Sequence, residues 1–111
     1  SNIELLLTST KKLIDNLSQL NNPKANQFSF DLKKVIIPYI SAQANIINMD
    51  IPIESLEDQW SQLQSDFKQM AIKNHHIRDE WITISSIMSK HIMTKRLIKA
   101  DQMTFRSLPK A

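Results

Sequence analysis

Two histidines, an aspartate and a glutamate fall within six positions of the stretch Lys73-Asn74-His75-His76-Ile77-Arg78-Asp79-Glu80-Trp81. Imidazoles and carboxylates ligate zinc and di-iron centres, and they are the usual groups for proton transfer near neutral pH. On a helix, His75 with Asp79 and His76 with Glu80 would stack as i, i+4 pairs. A metal site needs three or four such groups converging on one point. The third histidine, His91, lies fifteen residues past His76, about 20 Å along a continuous helix, so it cannot complete a local set. No HExxH or ExxH spacing occurs. The stretch therefore reads as an exposed corner between two helices, with imidazoles capping carbonyls. No metal, cofactor or catalytic residue is assigned to it.

Other chemistry is equally sparse. The chain has no glycine, which removes the phosphate-cradling loop, the dinucleotide fingerprint and the nucleophile elbow. It has no cysteine, hence no thiolate ligand, thiol nucleophile or disulfide framework. Ser85, Ser86 and Ser89 have no histidine–aspartate pattern beside them, and Glu54, Glu57 and Asp58 read as first-turn acids of a helix. The expectation is a protein that is not an enzyme.

Any surface these residues form must be positioned by helices. With 41% hydrophobic and 23% charged residues, composition is that of an ordinary globular domain. At 111 residues the chain reads as a single domain, 1–111. Glycine's absence makes a hairpin-rich fold improbable. Ile3, Leu6, Leu13, Ile14, Leu17 and Leu20 recur at helical spacing, and the pattern stops at Asn21-Asn22-Pro23. Asn21 can take the left-handed C-cap, Asn22 the N-cap, and Pro23 the first turn of the next helix.

A second helix is expected from about 23 to 48. Ala25, Phe28, Leu32, Val35, Ile36, Tyr39, Ile46 and Ile47 share one face. Pro38 interrupts its hydrogen bonding, but the apolar phase survives, which predicts a kink rather than a stop. Asn48, Asp50 and Pro52 mark the next break, and Ser55-Leu56-Glu57-Asp58 resembles a capping box. Leu56, Trp60, Leu63, Phe67 and Met70 form a narrow seam. That seam continues formally through Asn74, Ile77, Trp81, Ile84 and Met88. One unbroken helix from 53 to 108 would be a rod of about 80 Å, unable to bury its stripe within one domain. A corner at Asn74-His75-His76 is favoured, with Asp79 and Glu80 in the first turn of a fourth helix running from about 78 to 100. The fold class expected is all-α: an antiparallel up-down-up-down four-helix bundle, its second helix kinked at Pro38.

Two surface features stand out. Phe30, Ile37 and Ala44 recur every seven residues opposite the main stripe of helix two. On helix four, Ile82, Met93, Leu97 and Ala100 lie away from the Trp81–Ile84–Met88 face, with Ser86 and Ser89 beside them. One-sided burial would put polar residues there, so these helices either bury wide faces or bind another helix. The second feature is charge. Residues 90–111 carry Lys90, Lys95, Arg96, Lys99, Arg106 and Lys110 against Asp101 alone, in a chain of net charge +3. A helix C-terminus explains some of these cations, and an acidic partner or nucleic acid would explain more.

The functional expectation is a non-catalytic protein–protein interaction module of accessory, adaptor or immunity type. It would dock through Phe30, Ile37, Ile82, Met93 and Leu97 onto another protein or a second copy. The basic residues Lys90, Lys95, Arg96, Lys99 and Arg106 would steer an acidic partner. The alternative is a nucleic-acid-associated small subunit held by residues 90–111. No apolar run is long enough for a membrane helix, and no signal-peptide pattern is visible. The absence of cysteine fits a reducing cytosol, so a cytoplasmic location is favoured, with a processed or secreted form as the alternative. Sixteen isoleucines against one valine, with lysine far outnumbering arginine, suggest an AT-rich genome, and the general look of a short helical bundle with a basic tail suggests a bacterial source.

Overall fold

The structure, a computed structural model, describes residues 2–43 and 52–107, with side chains of the last helix placed as far as Met103. The described residues form four helices and no strand: α1 (Asn2–Ser18), α2 (Pro23–Gln43), α3 (Ile53–Met70) and α4 (His75–Ser107). α1 packs on α2 and α4, and α3 packs on α2 and α4, so α2 and α4 sit at opposite corners of a square bundle. Phe28 touches Trp81, and Tyr39 touches His91, so α2 and α4 run parallel. Glu57 meets Arg96 and Glu54 meets Lys99, so α3 and α4 run antiparallel. This is the up-down-up-down bundle read from the sequence.

The junctions follow from local chemistry. Asn21 adopts a left-handed conformation, φ 49°, and ends α1. The Asn22 Oδ1 accepts the Lys24 backbone N–H at 2.8 Å, and Pro23 fills the first helical position. α2 runs through Pro38 without ending. Its expected continuation to 48, with Ala44, Ile46 and Ile47, lies outside the described residues, as do Asn48, Asp50, Leu108 and Pro109.

Two junctions differ from expectation. α3 is entered from Pro52, which provides no side-chain cap; its carbonyl accepts the Leu56 N–H at 3.1 Å. Ser55 therefore sits inside the helix and forms no capping box. The corner lies slightly earlier than Asn74-His75-His76. α3 ends at Ala71, which is left-handed at φ 50°, ψ 43° and donates its N–H to the Lys68 carbonyl. Asn74 is instead the N-cap of α4: its Oδ1 accepts the His76 N–H at 2.9 Å and the Ile77 N–H at 3.4 Å. Because the cap is Asn74, α4 starts at His75, not 78, and Asp79 and Glu80 lie past the first turn. They are too far along to complement the dipole as expected. α4 also outlasts its expected end at 100, running to Ser107, about 50 Å in all.

The seams close as periodicity requires. Leu6, Leu13, Leu17, Phe28, Leu32, Ile36, Tyr39, Leu56, Trp60, Leu63, Ile77, Ile84 and Met88 are buried. Leu20, placed on the α1 stripe by spacing, is exposed because the helix has already ended. Trp81 is the hub of the core at the corner end. It stacks on Phe67 at 4.8 Å between centroids, stacks on Trp60 at 5.2 Å, and receives Phe28 edge-on at 5.3 Å. Such pairs contribute about 0.5–1.5 kcal/mol each beyond the area they bury.

Candidate interaction surfaces

The five residues expected on the wrong faces are all at the surface. Phe30, Ile37, Ile82, Met93 and Leu97 are between 54% and 64% exposed, so none belongs to a wide buried face. The bundle's order splits them. Phe30 and Ile37 point outward from α2, and Ile82, Met93 and Leu97 point outward from α4, at the opposite corner. They form two surfaces. On α2, the Lys34 ammonium lies over the Phe30 ring, 4.4 Å from its centroid, and partly covers it. On α4 the exposed stripe is longer: Ile82, Ser86, Ser89, Met93, Leu97 and Ala100 recur at intervals of three and four. That spacing places them on one side of the helix, with the two serines allowing close approach.

The basic segment is less free than its sequence suggests. Arg96 forms a two-pronged ion pair with Glu57, and Lys99 pairs with Glu54. Lys99 and its neighbours hold the Glu54 carboxyl below the usual carboxylate range, and Glu57 pushes the Arg96 guanidinium up. Two of the five expected basic-patch residues are thus neutralised from within the bundle. The acids that do this are those read as first-turn helix acids. The Arg106 side chain and Lys110 lie outside the described residues.

Lys90 and Lys95 have no ion-pair partner among the described residues. With Asn2, Tyr39, Gln43, His91, Thr94 and Ile98 they line a hollow of about 380 Å³. The Tyr39 phenol is hydrogen-bonded to His91 Nδ1 within it. Burial pushes the phenol up to about 12. Burial first, and then the charges of Lys90 and Lys95, hold the His91 imidazole below its ordinary value. This pair joins residues 52 apart, and nothing in the local sequence signals it.

At the corner, the His75 and His76 rings lie against each other, centroids 4.1 Å apart, both exposed. The turn is capped by the Asn74 side chain rather than by the imidazoles. No group of three or more histidines and acids able to hold a metal occurs among the described residues.

The seam between α3 and α4 carries two hollows that share Gln64 as a wall. The one nearer the corner, about 400 Å³, is lined by Phe67, Trp81, Lys68, Lys73 and Arg78 among others. The other, about 380 Å³, is lined by Trp60, Ser61, Ser89, Ile92, Met93 and the Glu57–Arg96 pair. Sequence reasoning missed both, because a hollow between two helices depends on how bulky rings from each hold them apart. No described helix is long and apolar enough to cross a membrane. No family model, curated protein or solved structure matches the chain.

Proposed function

We propose that this chain is a non-catalytic protein-interaction module that docks through the outward face of α4 onto a helix of another polypeptide. The observation that carries this reading is the stripe Ile82–Ser86–Ser89–Met93–Leu97–Ala100. It is exposed throughout and spaced for helix-on-helix packing, while a separate stripe on the same helix fills the core. Large flexible side chains at Met93 and Leu97 supply the anchors, and the serines between Ile82 and Met93 let a second backbone come close. The smaller α2 surface at Phe30 and Ile37 faces away and would serve a second contact. The nucleic-acid alternative is the weaker reading, since Arg96 and Lys99 are already paired with carboxylates.

The test is light scattering across a concentration series, with affinity capture under the same conditions, for the parent and for Leu97→Asp and Met93→Asp. The expected result is an oligomer or a saturable partner complex that both variants lose while their melting transitions stay close to the parent's. A parent that is monomeric and captures nothing the variants do not also capture overturns the reading. A second copy of the chain and a different protein are distinguished by the mass of the complex.

A further inference from the structure

The sequence places the positive attractor of this chain in residues 90–111, where, among the described residues, Lys90 and Lys95 stay unpaired and Arg96 and Lys99 do not. The fold gathers a second group of unpaired cations at the α3–α4 corner. Lys68 comes from the last turn of α3, Lys73 from the connecting turn and Arg78 from the first turns of α4. All three are exposed, line one hollow, and form no ion pair among the described residues. No carboxylate lines that hollow. The acids nearby are turned elsewhere: Asp66 lines the α2–α3 side and accepts a hydrogen bond from Gln62, and Asp79 and Glu80 follow Arg78 at successive 100° steps around α4.

A helix C-terminus accounts for Lys68 but not for Lys73 or Arg78, which lie beyond it or at the start of the next helix. Beside the cations, the hollow is lined by the rings of Phe67 and Trp81 with Gln64, Ala71 and Ile72. Across Gln64 the seam presents Trp60, Ile92 and Met93 between the small hydroxyls of Ser61 and Ser89 and the mutually neutralised Glu57–Arg96 pair, and the buried Trp60 indole Nε1–H has no partner among the described residues. Buried indole donors ordinarily find an acceptor.

Resting on the protein-binding reading, we infer that the α3–α4 seam receives an acidic amphipathic segment of the partner, its carboxylates at Lys68, Lys73 and Arg78 and its apolar side chains toward Trp60 and Met93. Met93 belongs both to this seam and to the outward α4 stripe, so the two surfaces are continuous. Charge complementarity fixes the direction in which the segment lies: acidic end at the corner, apolar end toward Arg96.

The chain has two tryptophans, Trp60 and Trp81, and both line the seam, so intrinsic fluorescence reports its occupancy. The probe is a synthetic helical peptide with glutamates clustered at one end and leucines at i, i+3 and i+4 spacing. Its control carries glutamine for each glutamate. A saturable change in tryptophan emission at low salt is expected, at least tenfold weaker in 0.5 M salt, with the glutamine peptide, and with the exposed-site double reversal Lys73→Glu, Arg78→Glu. Equal binding of the two peptides, an unaffected double variant, or no emission change at millimolar peptide overturns the inference. So does tighter binding of a single-stranded oligonucleotide, which would make these cations phosphate contacts. Leu97→Asp tests the outward stripe without touching the corner cations, so failure of that stripe and failure of the seam are read separately.

Discussion

The Trp60 indole lies stacked on that of Trp81, centroids 5.2 Å apart and planes 28° from parallel. Along one continuous helix, residues twenty-one apart would be about 30 Å from each other. Their contact therefore requires the chain to reverse between them, and the turn from Ala71 to Asn74 is where it does so. Reversal lets the apolar seam of α3 close on that of α4, and Trp81 binds both to Phe28 of α2.

Removing this hub is the most damaging single change expected in the core. Trp81 is 8% exposed and contacts rings from two other helices. Trp81→Ala deletes that packing and leaves a cavity, at a cost of about 3–5 kcal/mol. Denaturant unfolding followed by circular dichroism would measure it. A loss under 1 kcal/mol would mean the rings do not converge.

The reversal itself makes two opposite predictions. Ala71 holds a left-handed conformation, which costs a non-glycine residue about 1–2 kcal/mol. Ala71→Gly should relieve part of that strain and raise the melting temperature, less the entropy glycine adds to the unfolded chain. Asn74→Ala removes the acceptor for two backbone donors and should destabilise by about 1 kcal/mol. Thermal unfolding of the two variants should move in opposite directions, and a shared direction refutes the junction described.

Much of this was legible from the chain alone because its causes are local. Asn21, Asn22 and Pro23 announce their junction by residue type, and the buried stripes are those with helical spacing. Phe30, Ile37, Ile82, Met93 and Leu97 are exposed where the phase of each stripe puts them. What stayed hidden depends on partners distant in sequence. Arg96 and Lys99 look free until Glu57 and Glu54, 39 and 45 residues away, meet them. Ala71 gives no sign of left-handedness because tertiary closure, not residue preference, imposes it. α4 starts earlier than its sequence predicts because Asn74, which resembles a helix stop as much as a cap, acts as the cap.

A buried hydroxyl offers a gain in stability. Thr8, Thr83 and Thr94 each donate to the carbonyl four residues earlier, but Thr10, 5% exposed, has no partner for its Oγ1 among the described residues. An unpaired buried hydroxyl is less stable than a methyl of the same shape. Thr10→Val should therefore stabilise the protein by about 0.5–1.5 kcal/mol, read as a higher denaturant midpoint at unchanged slope. Destabilisation would show that the hydroxyl is satisfied in solution.

The ion pairs between α3 and α4 should do little for stability and respond to salt. The Glu57–Arg96 and Glu54–Lys99 side chains are between 32% and 57% exposed, so screening and side-chain ordering offset most of their attraction. Glu57→Gln should lower the melting temperature slightly at low ionic strength and not at all in 0.5 M salt. Freed of its partner, Arg96 then adds to the unpaired cations of α4. A large, salt-independent loss would mean that Glu57 is structural.

The Tyr39–His91 pair predicts how stability depends on pH. His91 is partly buried against Tyr39, with Lys90 and Lys95 close by, and each of these circumstances disfavours the imidazolium. Its folded value therefore lies below the ordinary histidine value of about 6.5. Between the two values the unfolded chain binds more protons than the folded one, so stability rises with pH across that window. The contribution is complete above about pH 6.5 and is lost as pH falls through the folded value. Removing the lysine charges by Lys90→Ala with Lys95→Ala should raise the imidazole value seen by NMR titration and narrow the window. Burial is the larger cause, so part of the depression should survive both substitutions. An imidazole that titrates at or above 6.5 in the folded parent would mean that it stands in water rather than against Tyr39.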